Sequence, residues 1–326
     1  MIKINLTAEQ RTEIEKMITK DIKKNSYPEI EKICNYLNDA NFIKTAEFID
    51  TEEKVIKICL LSSKTDLIDF QKKINKAYEE DSKWKCSCLI DRTREYIKDE
   101  LENLYLKFSN RNAAYNILRI MKVNVCPYCN RQYTFTIRTK TSKKIGEKIV
   151  KTDLKSRPEF DHFFPKSDYP FLALSIYNLV PSCSLCNKGK SNTPSENFLY
   201  PYEESFGDKG IHFEIQNVIG NLLKQEEIIV KLQSAKKNQD LIKQYNDSFK
   251  IESLYEQHVD YISELLYKNY IFNDEAIESI YRSYEKLFKS PSELKQLILG
   301  NYKSDNFNQR PLSKLTNDIL HQLNCK

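Results

Sequence analysis

From Thr7 to about Met121 the apolar residues recur at three- and four-residue spacing. The runs "AEQRTEIEKMITKDIKK", "PEIEKICNYLNDANFI", "TEEKVIKICLLSSKTDLIDFQKKINKAYEE" and "DRTREYIKDELENLYLKFSNRNAAYNILRIM" each predict helix. Thr7 and the stretch from Ser26 to Pro28 read as helix starts. Around Val123 the period changes. "RQYTFTIR" and "EKIVKTDLK" alternate like a pair of strands joined by the polar, Gly-containing "TKTSKKIG", and "GIHFEIQ" and "EEIIVKLQ" predict two more strands. The helical period returns from Ser234 to Gly300, and "RPLSKLTNDILHQL" predicts a last helix. The expected class is α+β, mostly α. Residues 1–121 form a helical region, 122–195 a small mixed core, and 196–326 short strands followed by helices. The pattern shows no internal repeat and no low-complexity linker.

At 326 residues and 40% hydrophobic content the chain can bury a core of ordinary size. No window approaches about 18 uninterrupted apolar residues, and "MIKINLTAEQRTEIEKM" lacks the apolar core of a signal peptide. The expectation is a soluble, cytoplasmic protein with no membrane partner. The net charge of +5 is unevenly spread, since Lys122 to Asn192 holds 13 Lys or Arg against five Asp or Glu. Such a window reads either as the base composition of a Lys- and Asn-rich sequence or as a surface facing phosphate.

Nine cysteines are many for a reducing compartment unless some bind metal. Cys34 and Cys59 sit in apolar helical runs and read as buried thiols. Cys86-x-Cys88 is too tight for a zinc knuckle, and Cys325 belongs to no pattern. Cys126-Pro-Tyr-Cys129 and Cys183-Ser-Leu-Cys186 are 53 residues apart. One knuckle fills only two of the four positions around zinc, so two knuckles meeting at one ion make a closed structural site and should be neighbours in space. A redox pair is the rival reading for either motif alone.

Between the pairs lie Asp161-His162, Asn178 sixteen residues after the histidine, and Asn187 directly after the last cysteine. "FDHFFPKS" followed by "YNLVPSCSLCNKGK" resembles the HNH endonuclease motif in its four-cysteine, zinc-stabilised form, over about residues 123–192. "CPYCNRQYTF", "HVDYISELLYKNY" and "RPLSKLTNDI" are similar to stretches of larger bacterial HNH proteins of anti-phage systems, including the PtuB-like partners of Septu ATPases. The resemblance implies a ββα-metal core holding one divalent ion and cutting phosphodiester bonds. It assigns His162 as general base, Asp161 as first metal ligand, Asn178 as the middle Asn, and Asn187 to the place of the last His of the motif. Asn in that last place departs from the motif and bears on metal preference.

Hydrolysis of a phosphodiester needs a deprotonated water, a cation against the phosphate and help for the leaving oxygen. Imidazole titrates in the range the first task requires. Asp161 and Asn187 offer hard oxygen donors suited to Mg²⁺ or Mn²⁺. Neighbouring residues of a strand point to opposite faces, so His162 is expected at the end of its strand, where the chain bends away. Asn178 is expected to span that bend through bonds to backbone groups, or else to serve as an ordinary turn residue. Lys166, Lys188 and Lys190 beside the site, with Arg131 and the hairpin lysines, are candidates for binding nucleic-acid phosphates. His212, His258 and His321 read as structural or surface residues. Trp84 and the tyrosines could stack bases, although helical spacing places them in the core. The expected function is a metal-dependent nuclease on nucleic acid, DNA first, with one structural Zn²⁺, one catalytic Mg²⁺ or Mn²⁺ and a defence-system ATPase as partner. The competing reading is a zinc-stabilised binding or docking module without turnover.

Overall fold

The computed structural model describes residues 1–145, 148–193, 195, 198–216, 228–300 and 306–324. Between 140 and 154, and at Lys236, it describes the backbone alone. Cys325, Gly146 and the start of "EEIIVKLQ" lie outside the described residues. Among the described residues the chain is mostly helical with three two-stranded antiparallel sheets, an α+β protein. Its residues gather into two compact units that interleave along the chain, one of Ile4–Val123 and Thr134–Glu203, the other of Met1–Lys3, Asn124–Tyr133 and Glu204–Lys326.

In the first unit, α1 (Ala8–Asp21) starts at Thr7, whose side chain accepts from the Gln10 amide while Gln10 answers to the Thr7 amide, a capping box. Ser26 is not a cap. The chain runs on helically through a π turn at Ile22–Ser26 into α2 (Tyr27–Asp39), and Ser26 instead joins Asp21 in receiving Arg111. After the single turn α3 (Ile43–Ala46), the run 51–80 divides into α4 (Glu52–Cys59) and α5 (Lys64–Ser82). Thr51 and Ser63 cap their starts by accepting from Lys54 and Asp66 amides. Next come α6 (Ser87–Ser109) and α7 (Asn112–Met121), the latter closed by Lys122 in the left-handed region at φ 50°. Cys34 and Cys59 are buried, and burial pushes the Cys59 thiol up to about 12. Trp84, expected in the core, is 96% exposed in the turn between α5 and α6.

The hairpin β1 (Ile137–Ile145) with β2 (Lys148–Ser156) pairs from Ile137↔Ser156 to Ile145↔Lys148. The stretch 139–145, expected as loop, is therefore strand. Earlier in the predicted strand, Tyr133 pairs with Val125 in an isolated bridge outside the hairpin. β3 (Glu159–His162) then pairs antiparallel with β4 (Leu179–Ser182), joined by a 16-residue loop, 163–178, that carries two 3₁₀ turns. Helix α8 (Ser184–Lys190) follows immediately and packs on β3. Two tyrosine hydroxyls downstream tie this motif down, Tyr200 donating to the Tyr177 carbonyl and Tyr202 to that of Leu179, both at 2.7 Å.

In the second unit, β5 (His212–Gln216) pairs with β6 (Ile229–Gln233), followed by α9 (Gln239–Phe249), α10 (Ile251–Tyr255), α11 (Val259–Ile271), α12 (Asp274–Ser283), α13 (Pro291–Leu299) and α14 (Ser313–Asn324). Helix α14 covers the open edge of β5. Asp318 accepts from the Phe213 amide at 2.9 Å, and Gln322 both accepts from and donates to the backbone of Ile215. Edge groups that would otherwise recruit another strand are satisfied this way. No helix among the described residues is long and apolar enough to cross a membrane.

Candidate active site and metal centre

The first cysteine knuckle is a tight turn. The Cys126 amide donates to the Gln132 carbonyl, and the Asn130 amide returns to the Cys126 carbonyl. Asn130 sits at φ 50°, a left-handed conformation that asparagine tolerates better than most residues. Its side chain accepts from the Lys314 amide at 3.0 Å and the Ser313 hydroxyl at 3.2 Å, and donates to the Phe307 carbonyl at 2.9 Å. Asn130 thus fastens the knuckle to the start of α14, a role that sequence reasoning passed over. Its signal was available, an Asn directly after the second cysteine in the position Asn187 occupies after the fourth. Tyr255 adds a bond to the Cys129 carbonyl at 2.5 Å, and Tyr128 stacks on Phe249.

The second knuckle opens a helix, with Cys183 at the N-cap of α8 and Cys186 inside it. All four sulfurs are buried and lie within 4.8 Å of one another. Tetrahedral thiolates around zinc stand about 3.8 Å apart, given Zn–S bonds of about 2.3 Å. The group can therefore hold a structural zinc, and two independent redox motifs are the poorer description of it.

Asp161 and Glu159 occupy one face of β3, and Asn187 and Lys190, three residues apart on α8, face them. Asn187 donates its amide to Glu159 at 2.6 Å. Lys190 places its ammonium 3.3 Å from both oxygens of Asp161 and donates to the His162 carbonyl at 2.8 Å. Asp161 is 3% exposed and Lys190 not at all. Lys190 therefore does not face a nucleic-acid backbone as the sequence suggested. Its seventh place on a short helix turns it inward, onto the strand. Burial pulls its ammonium below the ordinary lysine range, and Asp161 opposes that shift. Glu159 is a second carboxylate of the site that the sequence reading did not select, although its place two residues before Asp161 puts it on the same strand face.

His162 ends β3, opposite Leu179, where the chain leaves the sheet. Its Nε2 lies 3.0 Å from the carbonyl of Ala173. A carbonyl only accepts, so the proton sits on Nε2 and Nδ1 keeps its lone pair. The ring meets the edge of Tyr105 at 4.4 Å between centroids. Burial first, and then the charges of Lys166 and Lys190, bring its pKa down to about 4 against the opposing pull of the Ala173 carbonyl and Glu102. The imidazole is neutral at pH 7.

Asn178 is fully buried and every polar atom of its side chain is spent on the loop 163–178. Its oxygen accepts from the Phe164 amide at 2.8 Å, and its nitrogen donates to the carbonyls of Phe164 at 3.1 Å and Leu172 at 3.2 Å. Leu172 immediately precedes Ala173, the acceptor of the His162 ring. Asn178 is thus a positioning residue rather than one that could touch a reacting group.

The basic candidates divide. Lys166 pairs with Glu102 of α6 and lies 5.3 Å over the Tyr105 ring, whose edge meets His162. Lys188 is exposed. Arg131 is half-buried with its Nε lacking a hydrogen-bond partner, and its charge helps lower the pKa of His258. The hairpin lysines are placed by backbone only, on β1 and β2. No family model, curated protein or solved structure matches this chain.

Proposed function

We propose that this protein is a metal-dependent endonuclease of the HNH kind, hydrolysing phosphodiester bonds of nucleic acid, double-stranded DNA in the first place. The observation that carries the reading is His162. A neutral imidazole at a strand end, with Nε2 tied to a backbone carbonyl and Nδ1 unprotonated, is a base held in one tautomer, and a buried carboxylate precedes it in the chain. A binding module has no use for that arrangement. The oxygens of Asp161 and Asn187 are of the kind a hard cation such as Mg²⁺ or Mn²⁺ takes, and such an ion would have to displace the Lys190 ammonium from Asp161 and turn Asn187 from Glu159. When bound, such an ion would neutralise charge on the phosphate and on the departing oxygen. His162 would take the proton from water through Nδ1. Negative charge gathering beside the ring favours its protonated form and so raises its basicity during the reaction. The Ala173 carbonyl, next in the chain to the Leu172 carbonyl that Asn178 holds, keeps the ring from turning. Lys166 and Lys188 would meet flanking phosphates, and the lysines of β1 and β2 would extend the track.

The reading extends to a nuclease effector of a bacterial anti-phage system working with an ATPase. It is supported by exposed apolar side chains on the C-terminal helices, Tyr270, Ile271 and Leu297 among them, which offer a partner something to cover. The alternative, a docking or binding module without turnover, draws on the Lys190 ammonium, because a built-in cation already balances Asp161.

One assay separates the two. Wild type and His162→Ala are incubated with plasmid, linear DNA and RNA in Mg²⁺, Mn²⁺ or chelator, with and without the candidate ATPase. Cleavage by wild type that needs the divalent ion and falls at least about a hundredfold in His162→Ala supports the nuclease. Retention of nucleic acid with no cleavage under any condition favours the module.

A further inference from the structure

The turn leading into α6 holds a chemical feature that the nuclease reading does not use. Cys86 and Cys88 are both exposed, and their sulfurs stand 3.0 Å apart. Two residues apart, they meet because the backbone changes state between them. Cys86 is the N-cap of α6 in an extended conformation, φ −69° and ψ 150°, while Cys88 lies within the first turn of a 23-residue helix. Neither thiol contributes to the core.

We propose that Cys86 and Cys88 form a redox-active dithiol that closes to an intrachain disulfide by exchange with a small-molecule disulfide of the glutathione type. Cys86 is the attacking sulfur. Its sulfur sits at the N-terminus of α6 in contact with the Cys88 thiol, and that thiol first, then the backbone amides of the opening turn, hold its pKa below the ordinary thiol range. The same contact holds the Cys88 thiol above it. The Cys86 thiolate attacks one sulfur of the small disulfide, forming a mixed disulfide and releasing one thiolate. Cys88 passes its proton to that thiolate and attacks the Cys86 sulfur, expelling the second thiolate, which takes a proton from water. Counting the proton that Cys86 released to water on ionising, the protein loses two protons and two electrons, and the small disulfide becomes two thiols.

Selectivity follows from burial. Cys34 and Cys59 are enclosed with raised thiol pKa values, and the four clustered cysteines are buried as well. Thiolate character and access together decide which cysteines exchange, and among the described residues only this pair combines exposure with a second thiol at contact.

The sequence supplies a clean readout. Trypsin cuts after Lys85 and Arg92, so the peptide Cys86–Arg92 carries both thiols and no other cysteine. The full-length, zinc-loaded protein is exposed to oxidised glutathione, quenched in acid and alkylated. The expected peptide is two hydrogens lighter, resists alkylation and recovers with dithiothreitol. Emission from Trp84, the one tryptophan of the chain, falls in parallel. In Cys88→Ser the peptide retains one glutathione on Cys86, and in Cys86→Ser addition to Cys88 slows by about tenfold. Recovery of a peptide alkylated at both cysteines, or carrying two glutathiones, would overturn the proposal, and so would equal reaction rates in the two variants.

Discussion

Asn178 shows how one buried amide can decide the orientation of an imidazole it never touches. Its three bonds stitch the loop between β3 and β4, and the loop supplies the carbonyl that fixes the His162 tautomer. Asn178→Ala leaves one amide and two carbonyls of a buried loop without their partner, which should cost about 2–4 kcal/mol in denaturant unfolding. Any metal-dependent cleavage should fall by a larger factor than the loss of folded protein explains. A variant that unfolds no more easily than wild type would show that the loop is held by other means. This residue was legible from sequence because its spacing from the histidine carried the resemblance. Lys190 was not. A lysine among lysines reads as solvated, and only the pitch of α8 reveals that its ammonium turns onto Asp161 instead of outward. Glu159 was hidden for a related reason, since a carboxylate at a strand start is ordinary until the opposing helix is known. Trp84 misled in the other direction, because helical spacing is no guide in the two or three residues where one helix gives way to the next.

At the level of elements, periodicity located nearly every helix and misjudged where some stop. The apolar rhythm of residues 51–80 passes without interruption across the break between α4 and α5, and the break is marked only by Ser63, whose hydroxyl accepts from the Asp66 amide at 3.0 Å. Ser63→Ala should destabilise the protein by about 1 kcal/mol, whereas Ser63→Gly should cost only a few tenths, as read from urea midpoints. Equal losses in the two would mean that the hydroxyl is not acting as a cap. Ser26 carries the same residue type before a proline, yet the chain stays helical through it, because Asp21 and Arg111 claim its hydroxyl. A cap is a competition for one oxygen, and the competitor lay 85 residues away. The hairpin of β1 and β2 was recognisable as a pair of strands, but alternation alone left its register free, and the first strand starts at Ile137 and runs on to Ile145 while the second stays almost where it was expected.

For the molecule as a whole, the cysteine spacing was the most informative part of the sequence. Two knuckles 53 residues apart converge on one buried group of four sulfurs. Purified protein should carry about one tightly held zinc per chain by elemental analysis, and Cys183→Ser should lower both the zinc content and the thermal midpoint, by several degrees or more. Full zinc occupancy in that variant would remove the four-thiolate site. The mixed fold class was likewise readable from the change of period at Val123. The interleaving of the two compact units was not, since nothing in local pattern announces that residues 124–133 will pack with the chain beyond 204.

That interleaving has a cost in time. The amide of Asn130 finds its acceptor at Phe307, 177 residues later. At ribosomal speeds of roughly 5–20 residues per second, the Cys126 turn waits roughly 9–35 seconds for its fastener to be made. Through that interval its two thiols are out of the ribosome and unclamped, open to stray metals and oxidants. Newly made chains should be most vulnerable during this window, long before the finished fold encloses the sulfurs.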